Sequence, residues 1–144
     1  MPGVSTLALA VSAAFVGIAA WHFRMAFSMA PGAGSGAVPS VDGKPLFKPS
    51  KASTLAVGGV LLLFAVLVAA TAGFIPTGLP HFLLAWACYA LAAGLLARAI
   101  GEFRYLGFFK KVRGSEFARL DTLIYSPLCL LLSAGVAVVG YSNA

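Results

Sequence analysis

Charged side chains are scarce in this chain of 144 residues, where Asp, Glu, Lys and Arg make up 10% of the sequence. Soluble domains carry about 25% charged and 45–50% apolar residues. Here 60% of the residues are hydrophobic and the mean hydropathy is +0.96. A soluble core of this size could not bury so much apolar surface. The composition therefore excludes an ordinary soluble domain and indicates one transmembrane domain over residues 1–144.

Acidic residues and cysteines are rarer still, with four Asp and Glu and two Cys. Cys88 and Cys129 both lie in apolar runs, so they predict neither a metal site nor a disulfide framework. No Asp or Glu lies deep in an apolar run, which counts against a proton-coupled exporter. The net charge of +6 would suggest nucleic acid in a soluble protein. Membrane proteins concentrate Lys and Arg on their cytoplasmic side, so we expect no nucleic-acid partner.

Four long apolar runs define the predicted fold. Spanning about 30 Å of hydrocarbon takes about 20 helical residues, and backbone groups in lipid need internal hydrogen bonds. The prediction is therefore an all-α integral membrane four-helix bundle. The predicted spans are 4–23, 53–74, 81–100 and 121–141.

Small residues recur at four-residue spacing within these spans. Such pairs let helix backbones approach closely in lipid. They therefore predict tight helix packing, and a remaining small face would allow a homo-oligomer. The pairs are Ala13 and Gly17, Ala69 and Gly73, Ala90 and Gly94, and Ser133 and Ala137.

Every basic residue lies on one side of the four-span layout, on or beside the first and third connections. The other side has no charged side chain. The positive-inside rule then predicts loops 24–52 and 101–120 in the cytoplasm and both termini outside, in the inner cell membrane. The basic residues are Arg24, Lys44, Lys48, Lys51, Arg98, Arg104, Lys110, Lys111, Arg113 and Arg119.

The segment GEFRYLGFFKKVRGSEFARLD, residues 101–121, holds most of the charge. Read as a helix, residues 104–113 present one aromatic face and predict an amphipathic segment lying in the membrane interface. That face consists of Tyr105, Phe108, Phe109 and Val112. Anionic lipid headgroups are the expected partners of its basic residues, and recognition of a phosphorylated lipid or an acidic partner is the alternative. The candidate headgroup contacts are Lys110, Lys111 and Arg113.

A second group of charges brackets the ends of the third and fourth predicted helices. Consecutive helices bring these ends to similar depth, so we expect an ion cluster that pins the segment. A catalytic carboxylate pair is the alternative, and the residues assign no catalytic role. The candidate cluster is Arg98, Glu102, Arg104, Arg119 and Asp121.

Two histidines are the remaining side chains that could bind a metal or act in catalysis. His22 and His81 lie at opposite membrane faces in this layout and cannot share one metal site. No metal is therefore expected, and the sequence does not identify a cofactor or roles for His22, His81, Cys88 and Cys129.

The stretch RAIGEFRYLGFFKKVRGSEFARLDTLIYSPLCLLL, residues 98–132, resembles the domain-of-unknown-function 3995 family of small bacterial four-span membrane proteins. The upstream stretches WHFRMAF and GKPLFKPSKASTLAVGG are similar as well, so the resemblance covers nearly the whole chain. It implies a multi-pass bacterial inner-membrane protein. It implies no activity and no catalytic residue.

Three functions remain open at this point, and two of them are favoured. One is a non-enzymatic accessory or interaction component with a basic cytoplasmic loop, bound to anionic lipids and to a membrane-protein partner or a second copy. The other is a small-ligand or lipid-binding protein, or an enzyme, with a polar site at the cytoplasmic ends of helices 3 and 4. A polar cavity reaching into the bundle would favour the second, and a closed bundle with an exposed apolar face the first. A small transporter ranks third.

Overall fold

The computed structural model describes residues 2–28, 38–42, 44–48, 50–101 and 105–144. The described chain is mostly helical with almost no sheet, which confirms the all-α fold class. The elements are α1 Pro2–Ser28, β1 Ser40–Val41, β2 Lys44–Pro45, α2 Lys51–Thr71, α3 His81–Ile100, α4 Glu116–Leu120, a π-helical turn Asp121–Tyr125 and α5 Ser126–Ser142. The two short strands pair antiparallel in a small hairpin between α1 and α2.

Four helical stretches are long and apolar enough to cross a membrane: α1, α2, α3 and the continuous stretch Glu116–Ser142. They coincide closely with the predicted spans. α2 ends earlier than expected because Gly73, at φ +84°, adopts a left-handed conformation that ends the helix. Its N–H donates to Ala70 O at 3.0 Å, and the Phe74 N–H donates to Ala69 O at 2.9 Å. These bonds satisfy carbonyl groups that the helix end would otherwise leave unpaired.

The helices form a closed bundle in which α1 packs along α2 and α3 packs along α5. Further contacts of α1 with α5 and of α2 with α3 complete the ring. Phe15, Val68, Val136 and Val139 are completely buried at its centre. Phe15 also meets the ring of Phe64 edge to face, with centroids 5.7 Å apart. Lipid offers no hydrophobic drive for association, so this close packing is a main source of bundle stability.

Three glycines mark the closest helix contacts. A Cβ at each would lie within 3.0 Å of a side chain on the facing helix: Phe23 faces Gly58, Val11 faces Gly135 and Cys88 faces Gly140. The spacing of small residues did not identify them. Gly17 and Gly94, which that spacing selected, have no atom within 4 Å of such a Cβ, so their predicted role in close packing is wrong.

Hydroxyl groups add hydrogen bonds between helices. The Ser12 hydroxyl on α1 donates to Ala65 O on α2 at 3.2 Å. The Ser133 hydroxyl on α5 donates to Ala92 O on α3 at 2.7 Å. Such bonds to neighbouring carbonyls stabilise helix pairs where water is absent.

Residues 105–115 form turns, so the predicted amphipathic helix over 104–113 is wrong for its described part. The chain instead folds back onto the end of α3, where the Phe108 N–H donates to Ala99 O at 2.9 Å. Gly101 and Gly107 permit this path with φ of +86° and +83°. A Cβ on Gly107 would lie 2.2 Å from Ile100 O, which a helix-forming residue could not avoid.

Candidate functional site

Asp121 is the first residue of the π-helical turn and is completely buried. Its Oδ1 accepts hydrogen bonds from Arg98 Nη2 at 2.8 Å and from the Ser126 hydroxyl at 3.2 Å. Its Oδ2 accepts from the Gly107 N–H at 2.7 Å and from Lys110 Nζ at 3.0 Å. A carboxylate has about four lone-pair sites, so these donors fill its capacity. We call these five residues the Asp121 cluster.

Lys110 supplies the innermost positive charge of the cluster. Its side chain is 0% exposed, and Nζ also donates to Gly107 O at 2.8 Å and to the Thr122 hydroxyl. An ammonium group has three protons, and three acceptors surround this one. The prediction that Lys110 contacts lipid headgroups is therefore wrong, because the turns after α3 direct its side chain inward.

The π-helical turn explains how Ser126 reaches Asp121. Residues five apart point to different faces of a regular α-helix. Here the Ser126 N–H donates to Asp121 O, and the wider turn places the Ser126 hydroxyl beside the carboxylate. Pro127 favours this local widening, since it lacks an N–H and its ring crowds the carbonyl four residues back.

Arg98 joins the cluster from the last turn of α3. Its side chain is 30% exposed, and Nη2 binds Asp121 Oδ1 at 2.8 Å. Among the contacts of the described residues, Nη1 is buried without a hydrogen-bond partner. The structure thus brings the predicted cluster members Arg98 and Asp121 together. Arg119 is exposed on α4, and the predicted members Glu102 and Arg104 lie outside the described residues.

The cluster joins three parts of the chain: α3 through Arg98, the turns through Gly107 and Lys110, and the fourth span through Asp121 and Ser126. Two cations and one carboxylate give it a formal charge of +1. Loss of the carboxylate would leave the buried Lys110 and the partly buried Arg98 without a counter-ion, which is strongly unfavourable. The geometry is thus that of an anchor for the turns, and a filled carboxylate is not available to accept a proton from a substrate.

Sequence reasoning missed three members of the cluster. Gly107 acts through its backbone N–H, which carries no side-chain signal. Lys110 is chemically identical to its exposed neighbour Lys111. Ser126 lies at a spacing that regular helix geometry excludes, and the following Pro127 is the one sequence signal that could have indicated a local distortion.

Three exposed basic side chains surround the anchored turns: Lys111, Arg113 and Arg119. We call them the basic surface. Arg113 is oriented by its own segment, because Nε donates to Lys110 O and Nη2 to Phe108 O, both at 3.0 Å. Phe109 is 63% exposed in the same segment. Lys111 and Arg113 are thus exposed, and their contact with lipid headgroups stays a prediction.

An open groove of about 410 Å³ runs beside α4. Its lining includes Arg113, Ser115, Ala118, Arg119, Thr122 and Leu123. All described lining residues belong to the short stretch 113–123, so the groove is built at the end of the bundle, from the turns and the start of the fourth span. We call it the α4 groove.

The other candidate residues lie apart from this site. His22 Nδ1 donates to Ile18 O at 2.8 Å, and His81 is the first residue of α3. Cys88 is buried beside the Thr71 hydroxyl, with Sγ and Oγ1 3.3 Å apart, and Cys129 is half-buried. Within the described residues, no group of three His, Cys, Asp or Glu side chains could hold a metal ion.

Comparison with known proteins adds a family but no solved relative. Neither the curated proteins nor the solved structures contain a match to the chain. A family match spans residues 15–136, which include the whole Asp121 cluster and the α4 groove. The chain belongs to the family described as "Protein of unknown function (DUF3995)", as the resemblance at residues 98–132 implied, and its four apolar helices are those of a multi-pass membrane protein.

Proposed function

We propose that the chain is a non-enzymatic accessory or interaction component of the inner cell membrane. Its basic surface would be the docking site for an acidic region of a membrane-protein partner. The observation that carries this proposal is the complete occupation of the Asp121 carboxylate by four donors. The cluster is built to hold a surface segment in place, which is what a docking site needs.

The case against catalysis rests on the same carboxylate. A general base must reach its substrate through a free lone pair. Asp121 is fully buried, and each of its oxygens already accepts two hydrogen bonds. Proton abstraction would require that two cations first be released, which the anchoring geometry opposes.

The case for docking rests on the exposed residues of the segment that the Asp121 cluster holds in place. Arginine and aromatic residues are enriched at protein interfaces, and an exposed Phe109 lies in one segment with Lys111 and Arg113. A segment already held in its bound conformation loses less entropy on association. The closed, apolar bundle core also favours an interaction protein over one with a ligand site between its helices.

The proposed orientation follows from the charges. In the four-span topology, the basic surface and the loop that carries Lys44 and Lys48 lie on one side of the membrane. The turn 75–80 lies on the other side. The positive-inside rule places the basic side in the cytoplasm. The partner surface is then a cytoplasmic acidic face.

Crosslinking in cells tests this function. A photo-reactive amino acid at Lys111 should give a discrete adduct with another protein. The same group at Leu79, an exposed position in the turn 75–80, is the control and should not give that adduct. Asp121→Asn should weaken the Lys111 adduct, because the anchor that positions the segment is lost. Adducts with lipid alone at Lys111 would contradict the proposal.

Such lipid-only adducts would favour the second candidate, a lipid-binding protein. The α4 groove is the specific observation on its side, because two arginines line one open concavity. A lipid bound in this groove would place the polar site at the start of the fourth span, without any catalytic group.

A further inference from the structure

We infer that the α4 groove binds the phosphate of an anionic phospholipid from the cytoplasmic leaflet, with the acyl chains leaving over Leu123. The inference goes beyond the proposed function. The groove shares Arg113 and Arg119 with the basic surface, whereas Lys111, where the docking test places its crosslinker, is outside the groove lining.

The charged side chains that line the groove are basic. Arg113 and Arg119 line it, and none of the described lining residues is acidic. Among the contacts of the described residues, neither guanidinium forms an ion pair. The buried Asp121 cluster behind the groove adds a formal charge of +1. A phosphodiester supplies the missing negative charge, and arginine binds phosphate oxygens with paired, charge-assisted hydrogen bonds.

Two hydroxyl groups point to the same ligand chemistry. Ser115 Oγ accepts a hydrogen bond from the Ala118 N–H at 3.0 Å, and Thr122 Oγ1 accepts one from Lys110 Nζ. In these contacts both oxygens act as acceptors, which leaves each hydroxyl able to donate its proton to another acceptor. The groove is thus lined by two arginines and two hydroxyl groups, residue types that can donate to the acceptor-only oxygens of a phosphate.

The outer wall of the groove favours a lipid over free phosphate. Leu123 is 66% exposed and the adjacent Ile124 is 50% exposed, on a helical stretch apolar enough to span a membrane. Acyl chains would cover these side chains, whereas a soluble anion would not.

Native mass spectrometry of the full-length protein in mild detergent provides the test. Delipidated protein would be titrated with phosphatidylglycerol and, separately, with phosphatidylcholine. We expect one retained phosphatidylglycerol and weaker retention of phosphatidylcholine, whose headgroup carries a compensating positive charge. Arg119→Gln should raise the phosphatidylglycerol Kd by roughly tenfold, the effect of one charge-assisted contact.

Arg119 is the residue to change first, since Arg113 also holds the backbone of its own segment and its loss could disturb the fold. Arg24→Gln is the matched control: it removes the same charge from an exposed arginine on the same side of the layout and should leave the Kd unchanged. Arg119→Lys should retain part of the affinity.

Three results would overturn the inference. Equal loss of affinity in Arg24→Gln and Arg119→Gln would mean a general effect of charge. Equal retention of both lipids would mean binding through apolar surface alone. Competition by millimolar inorganic phosphate as effective as that by the lipid would mean a soluble anion site. Failure here leaves the Lys111 crosslinking test unaffected, so the two proposals can fail separately.

Discussion

A lysine with a fully buried side chain is rare in proteins, because its charge must be paired to offset desolvation. Lys110 meets that condition with Asp121, Gly107 O and Thr122 around its ammonium group. Its neighbour Lys111 is exposed and differs from it in no chemical property. One lysine holds the fold together and the next belongs to the surface, and their difference arises wholly from the direction of the backbone.

These two neighbours give the first prediction. Lys110→Met keeps most of the apolar stem but removes the charge, so it should lower the free energy of unfolding by about 3 kcal/mol. Lys111→Met should change it by less than about 0.5 kcal/mol. The measurement is thermal unfolding in detergent, followed by circular dichroism. Equal melting of both variants and the parent would refute the buried ion pair.

A double variant tests whether Lys110 acts through Asp121. Asp121→Asn alone should be the more damaging single change, since it leaves Arg98 and Lys110 without a counter-ion. Adding Lys110→Met to it should then cost less than Lys110→Met costs in the parent, because residues in contact are non-additive. Simple addition of the two effects would show that they are independent.

At the scale of elements, the turns after α3 depend on two glycines in left-handed conformation. Gly107→Ala should destabilise the protein by at least about 1–2 kcal/mol, through its φ of +83° and the approach to Ile100 O. Gly114→Ala is the control in the same segment, since a Cβ there meets nothing within 4 Å. Comparable melting temperatures for the two variants would contradict the close backbone contact.

Two adjacent glycines on α2 test the bundle in the same way. A Cβ on Gly58 would lie 2.6 Å from the ring of Phe23, whereas one on Gly59 meets nothing within 4 Å. Gly58→Ala should therefore force the Phe23 ring or the α1–α2 contact to shift and cost about 1–3 kcal/mol. Gly59→Ala should be close to neutral. The readout is detergent-resistant folding on thermal challenge, and equal loss in both would place the close contact elsewhere.

The helices of the bundle could be predicted because a run of about 20 apolar residues has few alternatives in lipid. The shorter pattern over 104–113 did have an alternative structure, because an aromatic stripe of helical spacing also fits a set of turns. Long-range contacts determine that the segment forms turns, because Asp121, on another element, binds Gly107 and Lys110. Spacing along the chain cannot report such contacts, so Arg98 and Asp121 were found as candidates while the turn residues were not.

The helix contacts show the same limit. Small residues at four-residue spacing are common in any alanine-rich span, so the pattern alone could not tell Gly17 and Gly94 from Gly58. Which glycine lies at a crossing depends on how each helix is rotated about its axis. That rotation is set by the large side chains, such as Phe15 and Phe23, that must fit between neighbours.

At the scale of the whole molecule, charge separates the two ends of the bundle. The Asp121 cluster, the basic surface and the α4 groove all lie at one end, and the opposite turn 75–80 is uncharged. A cluster of net positive charge at that end reinforces the asymmetry, since Asp121 neutralises only one of its two cations. The same property that would attract anionic lipid or an acidic partner also sets the expected orientation in the membrane.

Labelling of single cysteines tests that orientation. Cysteine would replace Lys48, beside the β-hairpin, or Leu79, in the turn 75–80, in a background with Cys88 and Cys129 changed to Ser. Both positions are exposed in the structure. A membrane-impermeant thiol reagent should modify the Leu79 site in cells with a permeabilised outer barrier, and the Lys48 site only after lysis. The reverse pattern would invert the orientation and move the α4 groove to the outer leaflet. Equal labelling of both sites in unlysed cells would mean that they lie on one side, which four spans do not allow.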